Sequence, residues 1–197
     1  MISILSGYMT ELLLERKVIK NEEKELYGYG LFMLISYIVF SLISILFGIL
    51  LSIPFLSMLF FLIFCLIRNY AGGIHANSEI KCDIITTFSI LVSELLIKIF
   101  IENNLRCIAL IMLMMSSVAF IVIKPVATEQ KEISEKEQLH FHKKVIVLDI
   151  SAIIVSIISI ALGAYKIMIS LSIGLSLASI LLILGKIQQK KSKHIFH

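Results

Sequence analysis

The sequence predicts an all-α integral membrane protein with about six transmembrane helices and an N-terminal amphipathic helix. Of the 197 residues, 58% are hydrophobic and only 16% are charged. The mean hydropathy of +0.98 is far above that of a water-soluble domain. The apolar residues also form uncharged stretches of about 20 residues, the length at which a helix crosses a bilayer. A soluble globular domain is therefore excluded, and three cysteines without regular spacing argue against a disulfide-stapled secreted fold.

The first predicted element is an amphipathic arm over residues 1–29. Its apolar pairs recur at helical spacing, as Ile4/Leu5, Tyr8/Met9 and Leu12/Leu13. This pattern predicts a helix over residues 2–20 that lies on the inner leaflet of the membrane. Two roles stay open for it, a plain membrane anchor and a docking surface for an amphipathic partner.

The next elements are six spans that form a membrane domain over residues 30–185. Residues 26–67 carry no charge, which is too long a stretch for one helix, and Pro54 offers the break. A basic tail over residues 186–197 follows the last span. The six spans are expected at residues 30–51, 54–67, 83–101, 107–123, 145–165 and 167–185, joined by hairpins that are very short on one side.

The distribution of positive charge predicts the orientation of these spans. Fifteen of the 18 lysines and arginines fall in the N-terminal arm, the loops 68–82 and 124–144 and the tail. Only Arg106 and Lys166 lie on the opposite side, and Lys98 lies within a span. Because positive charge accumulates on the cytoplasmic side, both termini and both larger loops are expected in the cytoplasm.

The loop 68–82 concentrates the reactive side chains of the chain. It holds Arg68, the pair Gly72-Gly73, His75 and Cys82. Asn77 or Ser78 can cap the next helix, which places Cys82 in its first turns, where the helix N-terminus and Lys81 favour the nucleophilic thiolate. Seven residues of helix rise about 10.5 Å, so His75 reaches Cys82 only if the glycines let the loop fold back. Two interpretations stay open. Cys82 is a nucleophile with His75 as its partner, or both residues have a purely structural role.

Other candidate residues receive simpler interpretations. His140 and His142 point apart on a helix, so no metal site and no cofactor are expected. Cys65 and Cys107 are interpreted as packing residues. Glu94, Lys98 and Glu102 share one face of the third span, and Glu94 either lines a polar groove or pairs with Lys98.

Small residues mark the last two spans and predict close helix packing. These are Ser151, Ala152, Ser156, Ser159, Gly163, Ser170, Ser172, Gly174, Ser176 and Ala178. Such faces let helices approach closely, so these two spans pack either on each other or on a second subunit. A homodimer is therefore one of the two expectations.

The residues of the loop 68–82 resemble the signature of a known family. Arg68, Gly72-Gly73, His75 and Cys82 read as R-x3-G-G-x-H-A-x5-C, which looks like the pattern of the accessory gene regulator B family. That family comprises bacterial membrane endopeptidases that process peptide pheromone precursors. The length, the six spans, the amphipathic arm and the basic loop also match, so the resemblance covers essentially the whole chain.

The resemblance implies a function for each of these residues. It makes Cys82 the nucleophile and His75 the general base of a catalytic loop, with Arg68, Gly72 and Gly73 shaping the site. The implied partners are the lipid bilayer and a small AgrD-like precursor peptide. Nucleic acid is not among them. The precursor would be cleaved with its acyl part held on Cys82 as a thioester, which the precursor's own cysteine displaces to form a thiolactone. The implied location is the plasma membrane of a bacterium, with the active site on the cytoplasmic side.

The chain departs from the family pattern in the loop 124–144. A dense basic run is expected after the proline, whereas Lys124-Pro125 is followed by Glu129-Gln130 before Lys131. Lys124, Pro125 and Lys131 are nevertheless assigned to binding of the precursor, whose tail is typically acidic in the family. The alternative function is a small membrane exporter of a peptide, without proteolysis.

Overall fold

The computed structural model describes residues 2–73, 79–125 and 135–195. Within these ranges the chain forms seven α-helices, one short 3-10 turn at Asn21–Glu23 and no strand. The helices are α1 Ile2–Glu15, α2 Lys24–Leu50, α3 Pro54–Ala71, α4 Glu79–Glu102, α5 Arg106–Val122, α6 Glu135–Ala161 and α7 Tyr165–Ile195. The prediction of an all-α membrane protein is confirmed.

Five of the helices in the described ranges are long and apolar enough to cross a membrane. They correspond to Asn21–Leu50, Pro54–Ala71, Ile80–Glu102, Lys136–Ala161 and Tyr165–Gln189. The remaining predicted span, the fourth along the chain, is α5, an apolar helix of 17 residues. At a rise of 1.5 Å per residue it is about 25 Å long, the lower end of what a bilayer core requires.

The helix boundaries agree with the predicted spans only in part, because the backbone conformation of single residues ends some helices earlier than predicted. The break at Pro54 is confirmed, because proline is the first residue of α3. The helix expected over residues 2–20 ends earlier, at Glu15, because Lys17 adopts φ 55° and the N–H of Val18 bonds back to Leu13. The span expected to end at Tyr165 stops at Ala161, because Gly163 adopts φ 74° in the turn before α7.

Connections of very different length join the helices. The turns 51–53, 103–105 and 162–164 have three residues each, whereas α3 and α4, and α5 and α6, are joined by longer loops. Three connections are therefore as short as predicted, and their common side of the membrane stays a prediction. Helices α2, α6 and α7 extend beyond the predicted spans into residues 24–29, 135–144 and 186–195, because charged residues are tolerated where a helix leaves the bilayer.

The chain divides into two compact units, Met1–Ile43 and Ser44–His197. In the first unit α1 folds back on the start of α2. Glu11 of α1 forms an ion pair of 2.6 Å with Lys24, and a Cβ built on Gly28 would lie 3.5 Å from the Thr10 hydroxyl. Ile4, Leu5 and Tyr8 of α1 are exposed, as the amphipathic pattern predicts.

In the second unit α7 is the central helix. It packs against α3, α4, α5 and α6, and its residues Met168–Leu182 are largely buried. The hydroxyl of Ser170 donates a hydrogen bond of 2.7 Å to the carbonyl of Leu56 in α3. The last two predicted spans, α6 and α7, therefore pack on each other within one chain. Small side chains permit this close approach, as predicted.

Candidate functional site

The site is built around the end of α3, where a glycine terminates the helix. The N–H of Gly72 donates a hydrogen bond of 3.0 Å to the carbonyl of Arg68. Gly72 adopts φ 74° and ψ −158°, a conformation that is essentially restricted to glycine. The chain therefore leaves α3 abruptly, directly after the turn that carries Arg68.

Cys82 lies in the first turn of α4, which begins at Glu79. This placement confirms the prediction that the cysteine stands at a helix start. Its side chain is half-buried. The free N–H groups of a first helical turn favour a negative charge, which suits a thiolate at this position.

Cys82 faces a small cavity between α3, α4 and α7. Its described lining residues are Phe64, Arg68, Cys82, Ile85, Thr86, Ser89 and Leu181. The cavity volume of about 20 Å³ accommodates one water-sized group. Arg68 is also held by Phe64, because the guanidinium carbon lies 5.9 Å from the ring centroid.

The structure therefore brings together two of the predicted site residues, Arg68 and Cys82, which are 14 positions apart in the sequence. Gly73 lies beside Arg68, since a Cβ built on Gly73 would be 3.6 Å from Nη1 of Arg68. His75 lies outside the described residues, so its relation to Cys82 stays a prediction.

The predicted residues of the loop 124–144 lie elsewhere. Among the described residues, neither Lys124 nor Pro125 lines the cavity at Cys82. Lys124 is exposed, and Pro125 is buried with its carbonyl accepting a hydrogen bond of 2.7 Å from Gln138. Lys131 lies outside the described residues.

The start of α6 nevertheless reaches the end of α3. Nζ of Lys144 lies 4.8 Å above the ring centroid of Tyr70, and the rings of Tyr70 and Phe141 are 6.1 Å apart. A cation near an aromatic face is held by the ring's quadrupole. The end of the loop 124–144 thus lies at the same end of the bundle as Arg68.

Sequence reasoning did not identify five of the cavity residues. Three of them, Ile85, Thr86 and Ser89, follow Cys82 at positions i+3, i+4 and i+7, and Phe64 precedes Arg68 by four. Helical spacing from the two predicted residues was a signal that could have found these four. Leu181 carries no comparable signal, because only the packing of α7 brings it to the site.

Glu94 does not pair with Lys98. Lys98 instead forms an ion pair of 3.3 Å with Glu102. Glu94 is fully buried and accepts a hydrogen bond from Ser44 of α2, with Ser57 of α3 also against its carboxyl group. Glu94 therefore connects three helices.

A second buried carboxyl group, Asp149, was not singled out from the sequence. It lies in α6 and accepts a hydrogen bond of 3.0 Å from Ser117 of α5. Its exposed fraction is 3%. A carboxyl group at membrane depth needs such a partner, so Asp149 holds α6 against α5.

Comparisons with known proteins identify one family. The sequence model of the family described as Accessory gene regulator B matches residues 6–184 of the chain. No curated protein and no solved structure matches the chain. The matched range includes every predicted site residue and every residue that lines the cavity at Cys82.

Proposed function

The chain belongs to the accessory gene regulator B family, and we propose that it is a cysteine endopeptidase in which Cys82 cleaves a pheromone precursor. Members of this family act in the processing of quorum-sensing peptides, and the chain is a multi-pass membrane protein. The observation that carries the proposal is the shared cavity of Cys82 and Arg68 at the start of α4. A half-buried thiol in the first turn of a helix, in one cavity with an arginine, has the kind of setting in which reactive cysteines occur.

The proposed reaction begins with attack of the Cys82 thiolate on the scissile carbonyl carbon. His75 takes the thiol proton and passes it to the leaving amine as the C–N bond breaks. The upstream part of the precursor stays on Cys82 as a thioester. A cysteine within the precursor then attacks this carbonyl, gives its proton to His75 and closes the thiolactone ring, while Cys82 leaves as the thiolate.

In this proposal Arg68 supplies the positive charge of the site. Arg68 lines the same cavity as Cys82, and in this role its charge stabilises the thiolate and the oxyanion that forms during attack. Gly72 and Gly73 let the chain turn sharply after Arg68. Binding of the acidic precursor tail is assigned to the loop 124–144, through Lys124, Pro125 and Lys131.

The proposal places the site on the cytoplasmic side of a bacterial plasma membrane, with both termini in the cytoplasm. It is supported by the charge count, since the loops 68–82 and 124–144 carry most of the positive charge between spans. The connectivity agrees, because the three short turns alternate with these two loops along the chain.

The test is co-expression with a small precursor peptide encoded nearby, followed by mass analysis of the precursor and its fragments. The wild-type chain should produce two fragments, and Cys82→Ala and Cys82→Ser should produce none, because an alcohol attacks poorly in a site suited to a thiolate. Cys65→Ala and Cys107→Ala are matched controls that should process normally. Fragments formed by Cys82→Ser would exclude the thiol mechanism. An uncut precursor that leaves wild-type cells would favour the exporter alternative.

A further inference from the structure

Gly185 of α7 packs directly on the backbone of Gly73. A Cβ built on Gly185 would lie 2.8 Å from the carbonyl carbon of Gly73, 2.9 Å from its oxygen and 3.2 Å from its Cα. Real Cβ atoms do not approach backbone so closely, and backbone cannot rotate away as a side chain can. The Gly73 backbone can therefore occupy this place only if residue 185 has no side chain.

The contact matters because Gly73 touches two walls of the cavity at Cys82. A Cβ built on Gly73 would lie 3.6 Å from Nη1 of Arg68 and 3.7 Å from Cβ of Leu181. Arg68 and Leu181 both line the cavity. Leu181 precedes Gly185 by one helical turn, so the same face of α7 supplies a wall of the cavity and the support for the loop.

We propose that Gly185 is a positioning residue of the site. By holding the Gly73 backbone against α7, it sets the place of the Arg68 guanidinium relative to the Cys82 sulfur. The inference rests on the proposed function for its catalytic consequence, but the placement of Gly73 against α7 can be tested without catalysis. The proposal makes α7 a part of the site, although Gly185 follows Cys82 by about 100 positions in the sequence.

The first experiment compares Gly185→Ala with Gly174→Ala. Gly174 is a matched control on the same helix, because its Cβ would lie 2.7 Å from Cγ2 of Ile63 and 3.1 Å from the carbonyl of Phe60. Eleven residues of helix separate the two glycines, a distance of about 16 Å. A displacement of about 1 Å in a site costs about 10²-fold in rate. We expect Gly185→Ala to lose about 10²-fold in precursor processing at a normal membrane level, and Gly174→Ala to keep its rate per molecule.

Two further readouts separate positioning from folding. In membranes of a chain with Cys65→Ala and Cys107→Ala, the alkylation rate of Cys82 by a small maleimide should change in Gly185→Ala and stay at the parent value in Gly174→Ala. Capture of the precursor in a pull-down should be unchanged in both variants. Wild-type processing by Gly185→Ala, or equal loss of activity and alkylation in both variants, would overturn the proposal.

The second experiment tests the placement itself through a disulfide between Gly73→Cys and Leu181→Cys. The separation of 3.7 Å between the two Cβ positions is close to the mean of about 3.8 Å in disulfides. The three native cysteines are replaced by alanine, an oxidant is added to membranes, and the remaining thiols are counted with a maleimide polymer. The control pairs Gly73→Cys with Ile180→Cys, which is 51% exposed on α7.

We expect the pair 73/181 to close and the pair 73/180 to stay reduced. Equal crosslinking of both pairs, or none at 73/181, would show that Gly73 does not pack on α7 and would overturn the inference. Because this readout involves no precursor, it stands even if the chain proves not to be a peptidase. If the pair 73/181 closes and the wild-type chain does not process the precursor, the proposed function is rejected and the placement of Gly73 is kept.

Discussion

At the residue scale, the site depends on where single side chains and single glycines stand. Cys82 has the helix N-terminus on one side and Arg68 across a cavity of about 20 Å³. Cys65 and Cys107 lie within α3 and at the start of α5 and line no part of that cavity as far as the structure describes it. The three thiols of this chain therefore differ in environment, and among the described residues only Cys82 lines a cavity together with Arg68.

His75→Ala tests the assignment of the general base. A base that accepts the thiol proton and protonates the leaving amine contributes about 10²–10⁴-fold, so processing should fall by that factor. Protein level and precursor capture should persist, because binding is assigned to other segments. The measurement is fragment mass together with the alkylation rate of Cys82, which should fall if His75 draws the thiol proton. An unchanged alkylation rate would leave His75 as a loop residue.

Gly72→Ala tests the turn after Arg68. Any side chain at this φ and ψ is strained by about 1–3 kcal/mol, and the strain moves the end of α3 against the cavity. We expect reduced processing at an unchanged level of protein. Gly163→Ala is the matched control, because Gly163 has the same φ of 74° in the turn between α6 and α7, one of the three short turns. If both variants lose processing equally, the effect is on stability and not on the site.

At the element scale, buried polar contacts hold the helices of the second unit together. Glu94 of α4 meets serines of α2 and α3, Asp149 joins α6 to α5, and Ser170 joins α7 to α3. In lipid there is no hydrophobic driving force that brings apolar helices together. Packing of small residues and these hydrogen bonds therefore determine which faces meet. The bundle is therefore specified by a few polar residues within a uniformly apolar composition.

Glu94→Ala measures the strength of one such contact. Removal of the carboxyl group leaves the Ser44 hydroxyl without its acceptor, and we expect a loss of about 1–2 kcal/mol in stability. Glu94→Gln keeps an acceptor oxygen and should remain close to wild type. The measurement is the melting temperature of the purified protein in detergent. Glu102→Ala on the same helix serves as the control, because its exposed ion pair with Lys98 is worth little. A larger loss for Glu102→Ala than for Glu94→Ala would contradict this account.

At the scale of the whole molecule, the alternation of short turns and longer loops has a topological consequence. If α2 to α7 each cross the bilayer, the three-residue turns lie on one side, and the loops after α3 and α5 lie on the other. The loop side carries most of the positive charge between spans. The proposed site is then at the membrane surface, where a precursor made in the cytoplasm can reach it.

Cysteine labelling of intact cells tests this topology. In a chain without native cysteines, an impermeant maleimide added outside should label Asn103→Cys in the turn after α4. It should miss Asn77→Cys and Gln130→Cys until the membrane is opened, because the positive-inside rule places both loops in the cytoplasm. Labelling of Asn77→Cys from outside would reverse the orientation and place the proposed site on the wrong side for a cytoplasmic precursor.

The sequence by itself determined the class of fold and the order of the helices. It also identified the loop 68–82 as the segment that holds the candidate catalytic residues. Hydropathy and Pro54 are local signals, so the spans and the break between α2 and α3 could be predicted from them. The position of Cys82 in the first turn of α4 also followed from local capping residues. The catalytic and binding roles assigned to Cys82, His75, Arg68 and the other site residues stay predictions.

Only the tertiary structure decided which helices meet and what surrounds Cys82. Three features depend on contacts between residues far apart in the chain. They are the position of Leu181 in the cavity, the packing of Gly73 on Gly185 and the hydrogen-bond partner of Glu94. Helical spacing could have identified the neighbours of Cys82 on α4, but no periodicity indicates which face of α7 lies opposite. In lipid every apolar face is acceptable, so hydropathy identifies the helices, and close packing with a few hydrogen bonds decides their arrangement.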